Sequence, residues 1–166
     1  LGIAAVCCML AITPAAADTR AAPAGERLSW EPLPDLPDPL GVAGPFVGVH
    51  RNTLIVAGGA NFSPPIWESP KLWHSTIHVL EKSATGLVWH QGGALPKPLG
   101  YGAAVSLPEG LLCIGGNDAA QVYRETFLLS WNAATHQVAI TDYPPLPAPC
   151  AHMQAVVIGQ QVFVAG

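Results

Sequence analysis

Charge is scarce in this sequence. Only 11% of its 166 residues are charged, and its seven Lys and Arg are scattered from Arg20 to Arg124. With a formal charge of -4 and a pI near 5.8, no nucleic-acid partner is expected, because such binding rests on a clustered basic patch. A single well-placed cation still suffices to hold a small anion. Cysteine is scarce too, with four residues and no CxxC pattern, and neither a nucleophile elbow nor a P-loop is present. Nothing beyond the first residues carries a helical period, which removes helical bundles and coiled coils.

What the chain does hold is 17 Gly, 17 Pro and 50% hydrophobic residues. No G-X-Y period accompanies the glycines, so collagen is excluded, and the apolar content is too high for disorder. A turn-rich globular β protein remains.

The first residues read as a processing signal. Leu1 to Ile12 is an apolar run, followed by Thr13-Pro14 and the A-x-A site Ala15-Ala16-Ala17. Residues 1–17 are therefore expected to be a cleaved signal peptide, with Asp18 opening a mature segment over 18–32. Periplasmic location or secretion follows, with no stable membrane span after cleavage, since the run is too short to cross a bilayer. Cys7 and Cys8 lack the frame of a lipoprotein site. The missing initiator Met and basic n-region lead to the expectation that the sequence begins inside its gene. Cys113, in an apolar strand, and Cys150, in a Pro-rich loop, are expected to be unpaired, inert thiols.

An internal repeat organises the rest. Leu54-Ile55-Val56-Ala57-Gly58-Gly59 recurs as Leu111-Leu112-Cys113-Ile114-Gly115-Gly116 and begins again as Gln161-Val162-Phe163-Val164-Ala165-Gly166. Leu36-Pro37-Asp38-Pro39, Leu95-Pro96-Lys97-Pro98 and Leu146-Pro147-Ala148-Pro149 precede the three copies. Between motif and doublet lie the apolar segments Pro45–Val49, Ala103–Leu107 and Gln154–Ile158. Further strands follow the doublets at Ile77–Leu80 and Phe127–Leu129, then at Trp89 and Gln137–Thr141. Each unit thus holds four short strands, a to d, which in the first unit are Pro45–His50, Thr53–Gly58, Ser75–Leu80 and Leu87–Gln91. Arg51-Asn52 forms a tight a–b turn. The glycine doublet is expected where a Cβ would clash near a crowded axis. Four-stranded units of about 50 residues are the signature of an all-β, kelch-type β-propeller; a β-sandwich is the competing architecture. Blade 1 covers about 33–94, blade 2 about 95–145, and the start of blade 3 about 146–166, so 33–166 is a partial ring of about two and a half blades. Such a piece is expected to be marginally stable or prone to aggregate.

Some segments go beyond a generic repeat. Leu40-Gly41-Val42-Ala43-Gly44-Pro45-Phe46, Ala60-Asn61-Phe62, Lys71-Leu72-Trp73-His74-Ser75-Thr76-Ile77-His78, Tyr101-Gly102 and Ile114-Gly115-Gly116 resemble, in this order, the bacterial N-acetylneuraminate (sialic acid) mutarotase/epimerase family. The match runs from about Leu33 to Trp131. It implies a six-bladed propeller that interconverts sialic acid anomers, with a sugar acid as partner and no cofactor. Blades of this kind following a signal peptide resemble the cyclically permuted branch, so the chain is expected to be an N-terminal fragment. The resemblance places the family's acid/base Glu and its Arg in the preceding blade, expected beyond Gly166, so no catalytic residue is assigned here.

In a propeller the b–c and incoming d–a loops open on one face, around the central funnel. The substrate-binding candidates are therefore Asn61, Lys71, Trp73, Tyr101, Asn117, Asp118 and Arg124. The first b–c loop, from Ala60 to His74, is long and is expected to lack structure of its own. Trp67 and Trp73 also suit packing between blades, and Asp118 and Arg124 also suit pairing with each other. His74 and His78, four apart beside a strand, are too distant for one ion, and no metal site is expected. His50, His90 and His136 fall at strand ends or turns, where solvated histidine is the default; His152 alone is placed near the funnel. Two functions compete with a mutarotase: a non-catalytic kelch module binding a glycan or protein, and a copper oxidase, for which no Tyr–Cys and His arrangement exists.

Overall fold

The computed structural model describes residues 30–166, and its compact unit runs from Leu33 to Gly166. The signal peptide over 1–17 and nearly all of the 18–32 segment lie outside the described residues. Among the described residues every regular element is a strand, and no helix is long and apolar enough to cross a membrane.

Blade 1 is an antiparallel sheet of β1 (Phe46–His50), β2 (Thr53–Ala57), β5 (Thr76–Ser83) and β6 (Gly86–Ala94), paired in that order. Between β2 and β5 the chain forms a separate hairpin, β3 (Ala60–Phe62) and β4 (Lys71–Trp73). This corrects the expectation of an irregular first b–c loop: its two ends zip together for three residues each. Blade 2 repeats the plan with β7 (Ala103–Leu107), β8 (Gly110–Ile114), β9 (Thr126–Asn132) and β10 (Gln137–Tyr143), and β11 (Gln154–Ile158) pairs with β12 (Gln161–Ala165). The turn residue Arg51 takes φ 55°, and Thr53 Oγ1 closes the β1–β2 hairpin by donating to the His50 carbonyl at 2.7 Å.

The continuous apolar runs of the inner strands follow from their position between two neighbours, which leaves neither face wet. With alternating side chains, Leu111, Cys113, Phe127, Leu129 and Trp131 face blade 1, where they pack with Phe46, Ile55, Ile77 and Val79. Leu112, Ile114 and Leu128 face the other way and pack with Met153 and the flank of Ala155. Phe46 meets Phe127 edge-to-face at 5.7 Å across the first interface. Packing of this sort between successive twisted sheets is that of a kelch-type β-propeller.

The glycine doublets hold each blade against the loop entering the next. Gly58 and Gly59 have φ 67° and 95°; Gly115 and Gly116 have 55° and 102°. A Cβ on Gly58 would collide with the Leu99 carbonyl, and one on Gly115 with the Cys150 carbonyl. The second glycine of each pair donates its N–H to that same carbonyl, at 2.8 Å in both blades. The crowding is therefore backbone against backbone, with the motif leucines Leu95 and Leu146 seated beside it. Cys113 is fully buried, which pushes its thiol pKa up, and both Cys113 and Cys150 are unpaired.

Two histidine expectations are corrected. His50 is 2% exposed, because its Nδ1 accepts the Trp131 backbone N–H at 3.0 Å across the blade interface. His90 is half-buried between Glu81 and the rings of Trp131 and His136.

Candidate functional site

Three equivalent residues form a ring of contacts where the chain enters each blade. Gly44, Tyr101 and His152 each lie two residues before an inner strand, β1, β7 and β11, and all take left-handed φ values of 63°, 57° and 58°. The Tyr101 N–H donates to the Gly44 carbonyl and the His152 N–H to the Tyr101 carbonyl, both at 2.7 Å. This chain of hydrogen bonds steps from blade to blade. Left-handed backbone is costly for side chains larger than glycine, so Tyr101 and His152 are held where sterics alone would place glycine. Gly44 has a local reason to be glycine: the Tyr101 ring covers it, with Cδ1 2.5 Å from where a Cβ would stand.

The β3–β4 hairpin leans on this ring. Lys71 and Trp73, two apart on β4, share one face. The Lys71 ammonium lies 4.1 Å from the Tyr101 ring centroid and 4.7 Å from that of Trp73. Trp73 meets Tyr101 edge-to-face at 5.6 Å, and His152 tilts against the other side of Tyr101 at 4.8 Å. Asn61 ties the hairpin down: its Nδ2 donates to the Gly41 carbonyl and its Oδ1 meets His74 Nε2, each at 2.8 Å. Its amide is thus occupied in positioning. Tyr101 separates two open clefts, one of about 500 Å³ reaching Leu40, Asn61 and Phe62, the other of about 440 Å³ reaching Val47, His152 and Gln154.

The second loop is arranged differently. Asn117 occupies the place that Ala60 holds in blade 1, pairing with Gly100 as Ala60 pairs with Ala43. Its Nδ2 donates to the Asp118 carbonyl at 3.0 Å, while its buried Oδ1 has no partner. Asp118 accepts the Tyr123 hydroxyl at 2.5 Å and the backbone N–H groups of Ala120 and Gln121 at 2.7 and 2.9 Å. The Tyr123 hydroxyl above all, then these two N–H groups, hold its carboxyl below the usual range. Arg124 is exposed and makes no ion pair among the described residues, so the Asp118–Arg124 pairing does not form. Lys97 instead bridges to Glu125 at 2.8 Å and lies 3.8 Å from the Tyr123 ring.

Of the seven candidates, then, Lys71, Trp73 and Tyr101 converge, with Asn61 locking them. Asn117 and Asp118 build a neighbouring loop, and Arg124 is exposed and makes no ion pair among the described residues. His74 and His78 do not converge: His74 bonds Asn61, and the His78 ring packs against Trp89. His152, singled out for its place ahead of the third inner strand, stands where Tyr101 and Gly44 stand in the two preceding blades. Chemically, a cation between two aromatic rings offers charge to a carboxylate and an apolar face to a sugar ring.

Comparison with known proteins finds similar sequences and a similar structure. No profile of a known protein family matches the chain. Proteins named N-acetylneuraminate epimerase do: one from Yersinia pestis is 36% identical over 110 residues, covering 55% of this chain and 27% of that protein. The Brucella suis protein of the same name is 35% identical over 122 residues, covering 62% and 30%, and that of Vibrio cholerae 34% over 127 residues, covering 66% and 32%. The chain thus spans about a third of the length of these curated relatives. The solved structure of YjhT superposes with a TM-score of 0.61 and 26% identity, covering 71% of this chain and 36% of that one.

Proposed function

We propose, from this chain's kinship with the N-acetylneuraminate epimerase family, that its blades form part of a ring that interconverts the anomers of N-acetylneuraminate. The observation that carries the reading is the coincidence of that kinship with the Lys71–Trp73–Tyr101 cluster at the mouth. Mutarotation opens and recloses the pyranose: one group takes the anomeric hydroxyl proton and another protonates the ring oxygen. This chain contributes the wall that binds and orients the sugar. Lys71 faces the carboxylate, Trp73 and Tyr101 cover an apolar edge of the ring, and His152 borders the second cleft. The acid/base groups belong to another blade. The leader read over residues 1–17 suits an exported protein, periplasmic or secreted, that meets the sugar outside the cytoplasm.

The test is exchange NMR on N-acetylneuraminate with protein carrying these blades in a complete ring. Cross-peaks between anomers that build up faster than in buffer, and slow on Lys71→Met, are expected. A rate equal to buffer would leave a non-catalytic glycan-binding propeller and overturn the enzymatic reading.

A further inference from the structure

A second cluster lies far along the sheets from the mouth-forming loops, at the seam between the outer strands of blades 1 and 2. Glu81 on β5 and His90 on β6 come from blade 1, and His136 from the β9–β10 turn of blade 2. Glu81 Oε2 stands 3.2 Å from His90 Nε2, and one ligand atom from each of the three residues lies within 4.8 Å of the others. The His90 and His136 rings stack at 4.3 Å, with the Trp131 indole nearly parallel to His136 at 5.9 Å. The Trp131 indole N–H lies 3.5 Å from Glu81 Oε1, orienting the carboxylate from behind.

We propose that Glu81, His90 and His136 form a zinc-type divalent-metal site that staples blade 1 to blade 2. Two imidazole nitrogens and one carboxylate oxygen are a donor set that zinc takes, leaving a fourth position for water. Tetrahedral bonds of about 2.0–2.2 Å separate ligand atoms by roughly 3.3 Å, and the Glu81–His90 pair already has this spacing. His136 is exposed and projects from a turn. Rotating its side chain off the stack closes the set without moving a strand. The second-layer contact from Trp131 is of the kind that fixes a metal-bound carboxylate. The seam is otherwise closed by side chains as small as Gly92, whose absent Cβ leaves room for Val138 and Val79. A metal here adds a coordinate bond between blades beside the Trp131 contact.

The experiment titrates Zn2+ into the full chain and follows thermal unfolding, with Co2+ absorption as a second readout. Zn2+ at about 100 times its Kd raises the folded-to-unfolded ratio about 100-fold, and Co2+ gives intense tetrahedral bands in the visible. His136→Asn, which keeps a residue tolerant of φ 50°, abolishes both responses, as does Glu81→Gln, while His78→Ala retains them. An equal thermal shift in His136→Asn, or Co2+ bound without tetrahedral bands, overturns the site. Neither readout depends on sugar turnover.

Discussion

The b–c loops of the two blades leave their glycine doublets in the same way and then diverge. In blade 1 the loop zips into β3–β4 and presents Lys71 and Trp73 toward the ring residue Tyr101. In blade 2 it folds on itself, with the Asp118 carboxylate accepting three hydrogen bonds from its own loop and Tyr123. Equivalent scaffold positions therefore carry opposite uses. One loop spends its polar groups on holding itself, while the other is held by Asn61 and lays a cation over the Trp73 and Tyr101 rings. An acidic residue on a propeller loop is not thereby a ligand for a sugar.

The scaffold equivalence predicts the largest effect. Gly58→Ala and Gly115→Ala each place a Cβ against a backbone carbonyl at positive φ, and each should cost about 3 kcal/mol or more in urea unfolding. Gly41→Ala, with positive φ and open space, should cost about 1 kcal/mol. Unequal losses at the two doublets would break the equivalence. The divergence of the loops predicts the next effect. Lys71→Met should weaken N-acetylneuraminate binding about 10- to 100-fold, as befits a charged hydrogen bond, while loss of its contacts with the Trp73 and Tyr101 rings lowers stability by about 1 kcal/mol. Arg124→Met should leave binding as it was.

Tyr123→Phe sharpens the contrast from the other loop. It removes the main cause of the lowered Asp118 pKa, so an NMR titration should show that carboxyl moving up toward 3.8. A lowered carboxyl pKa stabilises the fold above the unfolded value and ceases to do so as pH falls through the folded one. The variant should accordingly lose part of that acid-side slope, and sugar binding should not change. The smallest effect belongs to His50, whose pKa is lowered by burial and by Arg51. Such a histidine is neutral when folded and takes up a proton on unfolding, so its contribution falls as pH drops below 6.5. His50→Asn keeps an acceptor for the Trp131 N–H and should flatten that decline in urea midpoints measured between pH 5 and pH 7.5, a window about one unit either side of the free imidazole value.

The blade pattern was legible because it is written in local chemistry: apolar runs ending in Gly-Gly, and a Leu-Pro-x-Pro motif ahead of each. The β3–β4 hairpin was not, since strands of three residues carry too little alternation to announce themselves. Tyr101 was singled out, but its left-handed backbone was not, because no tyrosine signals positive φ; only its alignment with Gly44 and His152 reveals it. Histidine environments were the least legible. His50 is buried by a residue 81 positions away, and His90 and His136 meet only because two separate blades pack. The apolar runs announce that blades pack together, but not which polar side chains meet across the seam.

The five tryptophans allow the most direct test of the proposed sugar-binding wall, by following their indole N–H signals while N-acetylneuraminate is added. The account predicts that the Trp73 signal moves with saturable dependence on sugar while those of Trp89 and Trp131 stay in place. A Trp73 signal that never moves, at concentrations where binding is detected by other means, would contradict it.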